Sequence, residues 1–521
     1  MQRFSINLIA IYNYSNKMRI KDLLLAFAFL GSGMSAYAQN SSELILTLKG
    51  NVGNEVTLTL GVHDAFDIYS VDFGDGTLLT DTVCYQNGGL RGEDGLTKEG
   101  TTHTSATKFT GTVAGDGIIK VYGKSDIWYL VITDGVMPTS FDQEKLMNVV
   151  QMSITGADVD IVTLPAYEKM TQFSFNNSSV KSVDVSKVAG LTSLTVNSTT
   201  VSKFKPQLES IDLSKNVELT YLSLSGNTNN AGKLTSIDLT TNTKLEGVYL
   251  QDNQLTEIKL ADAYEKLTIL NAQNNKLTAF DATKTLAMKN LYLAENLLTT
   301  IDVSKCEAMA WFDVKKNQLK GDLDLTANTK LTNVYVNDNK LTSVKVTDVT
   351  KQFYFDNNNM TFATMPALPA SMNTDSKKKQ YHYAPQAAFE VAETVDMLDL
   401  TSQLTATGIL ETPATTTFNF VTADGTALVE GTDYEVTEPG KFKFTKSQTE
   451  KVHGVLANEG FPLFADNNAF VTTEFTVSTA TGIQNINAAD TTGKVYNLQG
   501  VEVKQPQKGL YIQNGKKVVR K

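Results

Sequence analysis

Very little in this 521-residue chain is equipped for reactive chemistry. There are two cysteines, Cys84 and Cys306, in different segments, so a disulfide framework is excluded. The four histidines, His63, His103, His382 and His453, lie apart, and none has a Cys, Asp or Glu at a metal-ligand spacing. No G-x-S-x-G, H-E-x-x-H or phosphate-binding loop occurs, so we expect no enzyme, no catalytic residue, no metal and no cofactor. Positive charge is also short: 56 acidic against 46 basic residues leave a formal charge of -10, which disfavours nucleic acid and anionic membranes as partners. No segment approaches the 18 apolar residues of a transmembrane helix. Between residues 149 and 364, no window carries the i, i+3, i+4, i+7 stripe of an amphipathic helix.

What the chain does have is a period. Leu245, Leu267, Met288, Met309 and Leu331 follow one another at 22, 21, 21 and 22 residues. Each is trailed eight positions later by an amide: Asn253, Asn275, Asn296, Asn317 and Asn339. A fixed period means that every repeat is one turn of a coil whose apolar face is buried only against its neighbours. Upstream, Leu219 with Asn227 is set off by an insertion, Thr228 to Lys233. Leu191, Met170 and Val149 then carry Thr199, Ser178 and Ala157 where the amide should be. Downstream, Phe353-Tyr354-Phe355 with Asn358 reads as a last coil.

Each coil holds a second extended segment, as in Leu255-Thr-Glu-Ile258-Lys-Leu260 and Leu298-Thr-Thr-Ile301-Asp-Val303. The Asn belongs where the chain turns inward, because its amide can satisfy backbone groups that the coil takes out of water. Cys306 stands where sister repeats carry Asn216, Asn242 and Asn328, and is expected to be a buried structural thiol. Asp184, Asp212, Asp238, Asp281, Asp302 and Asp324 recur at one position of the second segment. That column either recruits calcium or is a solvated face in which each Asp bonds the Ser or Thr that follows.

The stretch from about Val149 to Thr364, some two-fifths of the chain, resembles a leucine-rich repeat domain of the short bacterial subclass. The resemblance implies a macromolecular ligand held on the sheet face, and no catalysis. In L-x-x-L-x-L the residue between the last two apolar positions points away from the core. Along the coils this position holds Ser174, Thr195, Ser223, Tyr249, Asn271, Tyr292, Asp313, Tyr335 and Tyr354. Tyr221 and Trp311 border the same face. Aromatic side chains suit an exposed strand by propensity alone, but they are also enriched at binding hot spots. The expected ligand-binding residues are Tyr249, Asn271, Tyr292, Trp311, Asp313, Tyr335 and Tyr354.

The expected fold class is therefore mainly β: a leucine-rich repeat solenoid over 146–364 flanked by small β-sandwich modules. Residues 42–145 read as an all-β capping domain, in which Val71-Asp72-Phe73-Gly74-Asp75-Gly76-Thr77 resembles the turn of polycystic-kidney-disease-like modules. There Asp72 would cap a tight turn, with calcium on Asp72 and Asp75 as the other reading. Residues 371–385 read as linker, and 385–478 as an immunoglobulin-like sandwich. Residues 1–38 have the basic flank, apolar run and small-x-small site of a signal peptide, with cleavage expected after Ala38 and Met18 as the start. Residues 479–521, ending Gly509-Leu-Tyr-Ile512 and Lys516-Lys-Val-Val519, resemble the sorting domain of type IX secretion; a terminal hairpin is the other reading. The chain is expected at the cell surface or secreted, binding a protein or glycan ligand and handled by outer-membrane secretion and anchoring machinery. A surface-layer component without a ligand is the remaining alternative.

Overall fold

The computed structural model describes residues 43–62, 66–84, 107–123, 127–133, 135–139, 145–198, 205–229, 231–373, 380–479, 494–498, 501–504, 507–513 and 516–520. The expected signal peptide, Thr199, His63 and His103 lie outside these residues. Among the described residues the regular structure is strand, relieved by four short 3-10 turns. The chain forms two compact units. The first is Met1–Lys320, Asp324–Asn339 and Val346–Phe353; the second is Gly321–Leu323, Lys340–Lys345 and Tyr354–Lys521.

In the first unit, strands β1 (Leu44–Lys49), β2 (Glu55–Val62), β3 (Phe66–Asp72), β4 (Leu78–Cys84), β5 (Thr107–Thr112), β6 (Ile118–Tyr122), β7 (Ile127–Ile132) and β8 (Met137–Pro138) build two antiparallel sheets. One runs in the order β4-β3-β6-β1-β8, and the other contains β5-β2-β7. Apolar side chains alternate inward along them, with Leu46, Leu48, Val56, Leu58, Leu60, Val71, Ile119 and Val121 buried. The β3–β4 hairpin closes on the Asp72 carboxylate, which accepts the Gly74 and Gly76 N–H groups at 2.8 and 3.0 Å. Gly74 and Gly76 have φ of 101° and 78°, values open to glycine.

The second of these sheets does not stop at β7. β7 pairs in parallel with β9 (Gln151–Thr155), Leu130 opposite Met152 and Ile132 opposite Ile154. From β9 the sheet adds one parallel strand per coil: Gln172–Asn176, Ser193–Asn197, Tyr221–Ser223, Gly247–Tyr249, Ile269–Asn271, Asn290–Tyr292, Trp311–Asp313 and Asn333–Tyr335. The middle residue of every later strand is buried, giving an inner column Leu222, Val248, Leu270, Leu291, Phe312, Val334. This is a leucine-rich repeat solenoid, held in register by repeated side chains.

Two columns of polar side chains run through its interior. In the first, the Asn296 amide donates to Ala272 O of the preceding coil and to Leu293 O of its own, at 2.9 and 3.1 Å. Its Oδ1 accepts the Leu277 N–H at 2.9 Å. Asn253, Asn275, Asn317 and Asn339 donate in the same way to their own coil and to the one before. The residue ahead of each of these amides is left-handed: Asp252, Asn274, Glu295, Lys316 and Asp338 have φ between 53° and 59°. The second column is Asn216, Asn242, Tyr264, Thr285, Cys306, Asn328 and Thr350, all buried. Asn242 donates to Leu213 O and Asn216 O, Tyr264 to Leu239 O, and the Cys306 thiol faces Ala282 O at 3.5 Å. Burial pushes the Cys306 thiol up and holds it protonated, as a structural thiol requires.

The second unit has a core of Val395, Leu398, Leu400, Phe420, Tyr434, Phe442, Phe444, Val452, Phe475 and Val477. A separate aromatic cluster joins Phe362, Phe461, Phe464 and Phe470 to Tyr383. Tyr381 and Tyr383 are fully buried there, which corrects the expectation of a linker over 371–385. Two large rings inside a polar-looking stretch take apolar surface out of water, and the chain is pinned with them. Near the C-terminus, Val495–Tyr496, Gly509–Gln513 and Lys516–Arg520 form a three-stranded antiparallel sheet.

Candidate binding surface

The solenoid strands turn their first and third residues outward, and the two columns this creates carry the expected site. Tyr221 and Tyr249 meet with ring centroids 5.4 Å apart. Gly247 lies between them, and a side chain there would touch both rings, at 3.5 and 3.6 Å. Ile269 and Asn271 occupy the next coil, where Asn271 Oδ1 accepts the Gln273 N–H at 3.2 Å. Then three rings line up over adjacent coils: Tyr292 and Trp311 at 5.9 Å, Trp311 and Tyr335 stacked at 5.4 Å. All three are half-buried. The indole N–H of Trp311 is covered and meets no acceptor among the described residues.

Parallel strands explain the stacking. Tyr292 and Tyr335 pair with Asp313, and Trp311 stands two residues before it, so each tyrosine is a diagonal neighbour of the indole on the adjacent strand, within reach of large rings. Rings at this separation gain about 0.5 to 1.5 kcal/mol per pair beyond their burial.

Asp313 differs from the expectation. Its position on the outward column is correct, but the residue is 7% exposed and not a freely presented polar group. Strand alternation sets the direction of a side chain and leaves its depth open; here Lys315 folds over it, Nζ lying 3.3 Å from Oδ2. The Lys315 N–H also reaches Asp313 Oδ1 at 3.3 Å. Burial pushes the Asp313 carboxyl up from the usual carboxylate range, with Lys315 opposing the shift. Lys315 Nζ at the same time lies 5.6 Å from the centroid of the Tyr335 ring, a cation over an aromatic face. Tyr292 is raised by burial and then by the Asp313 charge.

The hydroxyl of Tyr335 donates to Gln352. Tyr354 falls in the second unit, where its ring stacks on His382 at 4.0 Å and its hydroxyl donates to Gln380 at 2.9 Å. In the first unit the expected residues thus form two clusters, Tyr221–Tyr249 and Tyr292–Trp311–Tyr335, with Ile269 and Asn271 between. The sequence puts Tyr221 at the border of the face and Tyr249 on it, without showing that the two rings meet. Gly247, opposite Tyr221 on the next strand, was the available signal.

The members of the aspartate column make local bonds. Asp184, Asp212, Asp238, Asp281, Asp302 and Asp324 each accept the N–H two residues on, at 2.9 to 3.1 Å. For Asp302 this backbone bond and the Ser304 hydroxyl hold the carboxyl below its usual range. Among the described residues no three His, Cys, Asp or Glu side chains converge.

No protein-family model matches the chain, and no curated protein does. Several solved structures align with it. The functional domain of InlJ from Listeria monocytogenes is 16% identical, covering 72% of this chain and 94% of that one, with a TM-score of 0.36. The leucine-rich repeat domain of APL1B is 19% identical over 44% of this chain and 74% of its own, TM-score 0.33. YopM from Yersinia pestis, a leucine-rich effector protein, is 17% identical over 47% and 62%, TM-score 0.35.

Proposed function

We propose that this is a recognition protein that binds another protein on the outward face of its solenoid sheet, with Tyr249, Asn271, Tyr292, Trp311, Asp313 and Tyr335 as the contact surface. Tyr354, which lies in the second unit, is proposed separately as a contact residue. The observation that carries the reading is the Tyr292–Trp311–Tyr335 stack. It presents half-buried rings in one line on a backbone fixed by the Asn column. A rigid aromatic patch loses little side-chain entropy on contact, which is why such residues dominate binding energy. The reading assigns the protein no reaction.

The same reading places the protein outside the cell. It rests on the leader-like residues 1–38 and on the tail at 479–521, which would be handled by the secretion machinery of the outer membrane. In it, residues 42–145 cap the solenoid at 146–364, and 385–478 form a sandwich. No helix among the described residues is long and apolar enough to cross a membrane.

Arrays of host-matrix proteins and of glycans, probed with the purified full chain, give the partner. A Tyr292→Ala, Tyr335→Ala double variant should melt within a few degrees of the parent and lose at least tenfold in affinity for that partner. Retained affinity would overturn the assignment of the face. A signal confined to the glycan array would move the ligand to the sugar class.

A further inference from the structure

The residues at the centre of the aromatic stack fix the chemistry of what it binds. Asp313 sits on the strand Trp311–Asp313, flanked on the neighbouring strands by Tyr292 and Tyr335. A carboxylate surrounded by three rings is a poor site for an anion or an apolar tip, because its charge has lost most of its water. A cation suits it, since the faces of tyrosine and tryptophan and the carboxylate all attract positive charge. The chain itself shows the occupancy. Lys315 curls back so that its ammonium lies 3.3 Å from Asp313 Oδ2 and 5.6 Å from the Tyr335 centroid. It is a resident cation, and a weakly held one, with 36% of its side chain exposed.

Resting on the binding face proposed above, we propose that this site takes an arginine side chain of the partner protein, which displaces the Lys315 ammonium and pairs with Asp313. A guanidinium fits better than the lysine it replaces. It is flat, stacks on rings, sheds water more readily, and holds its N–H donors in a fixed plane. Asp313 Oδ1 keeps the Lys315 backbone N–H, so Oδ2 is the atom given up to the newcomer. The formal charge of -10 draws basic partners to the surface. Lys315 thus acts as a gatekeeper, keeping the buried carboxylate paired until a better cation arrives.

The test uses the full chain with Trp128→Phe, which leaves Trp311 as the reporting tryptophan, titrated with hexa-arginine and hexa-glutamate peptides. Hexa-arginine should change Trp311 fluorescence saturably. Lys315→Met keeps the apolar stem and removes the competitor, and should tighten binding at least threefold. Asp313→Asn should weaken it at least tenfold, with its thermal melt confirming that the variant is folded. The proposal fails if Lys315→Met binds no tighter, if Asp313→Asn binds as well as the parent, or if hexa-glutamate gives the signal. Such a failure leaves the binding face untouched so long as the Tyr292→Ala, Tyr335→Ala variant still loses its array partner.

Discussion

The coils through Ser178 and those through Asn296 solve the same problem with different parts. Both turn inward after a left-handed residue, Asn177 in one case and Glu295 in the other, with φ of 48° and 57°. At the turn, buried backbone groups must find partners other than water. The Asn296 side chain serves three carbonyls and one N–H. The hydroxyl of Ser178 manages two bonds, accepting from Ala157 N and donating to Asn176 O. The early coils make up the difference with longer strands: Gln172–Asn176 and Ser193–Asn197 pair over five residues, whereas Asn290–Tyr292 and Trp311–Asp313 pair over three. A repeat can therefore lose its signature residue and keep its shape, provided the backbone takes over the bonding. The signature marks one way of closing a coil.

The contrast breaks if the two positions prove equally costly. Asn296→Ala orphans several buried groups at once and should cost about 3 kcal/mol, read as a shift in the urea midpoint. Ser178→Ala should cost about 1 kcal/mol. Similar shifts for both would mean that the amide column is not what holds the later coils.

The second polar column offers a finer test. Tyr264 replaces the amide of Asn242 with a phenol, its hydroxyl 2.6 Å from Leu239 O and its acidity lowered by burial, the pKa pushed up to about 12. Tyr264→Phe leaves one carbonyl without that donor, and about 1 kcal/mol of stability should be lost. A variant as stable as the parent would show that the phenol is only filling space.

At the outward position the early coils have Ser174 and Thr195 where a later one has Asp313. The folded state holds the Asp313 carboxyl above its ordinary value, so it binds its proton at a higher pH than the unfolded chain does. Its ionisation thus subtracts stability at neutral pH, and the loss disappears as pH falls through the raised value. Asp313→Asn should raise the melting temperature at pH 7, and the gain should shrink as the pH is lowered toward 4. A gain that grows on acidification would reverse the assignment.

The smallest effect concerns Asp302. Its exposed carboxylate is spent on Ser304, and an Asn can accept the same bond, so Asp302→Asn should shift the midpoint by a few tenths of a kcal/mol at most. Millimolar calcium should leave parent and variant with equal melting temperatures. A rise of several degrees in the parent alone would decide for the calcium reading.

The coil was legible because covalent repetition makes register visible: one Asn every 21 or 22 residues names the turn, the buried column and the outward column together. The same repetition exposed Cys306, since its sisters are Asn216, Asn242 and Asn328. Other features leave no periodic trace. The left-handed turn residues are Asp252, Asn274, Glu295, Lys316 and Asp338, and without a glycine among them nothing flagged the position. Depth was equally hidden: Asp313 and Tyr335 share a column, but Asp313 is buried and Tyr335 only half-buried. Tyr383 reads as linker because its burial depends on Phe461 and Phe464, some 80 residues away, and Tyr381 in turn packs on Tyr383 and Phe355. Long-range packing of that kind has no local signature.

The parallel join between Ile127–Ile132 and Gln151–Thr155 has a practical consequence for anyone who would cut the protein into parts. A fragment starting at the first repeat would present Gln151–Thr155 as a bare rim, a row of unpaired amides and carbonyls with Met152 and Ile154 losing the cover of Leu130 and Ile132. Such a rim is a template on which other copies can add strands, and fibrous or insoluble material is its usual fate. Soluble fragments should therefore begin ahead of β1, so that all the strands that shield the first coil are kept.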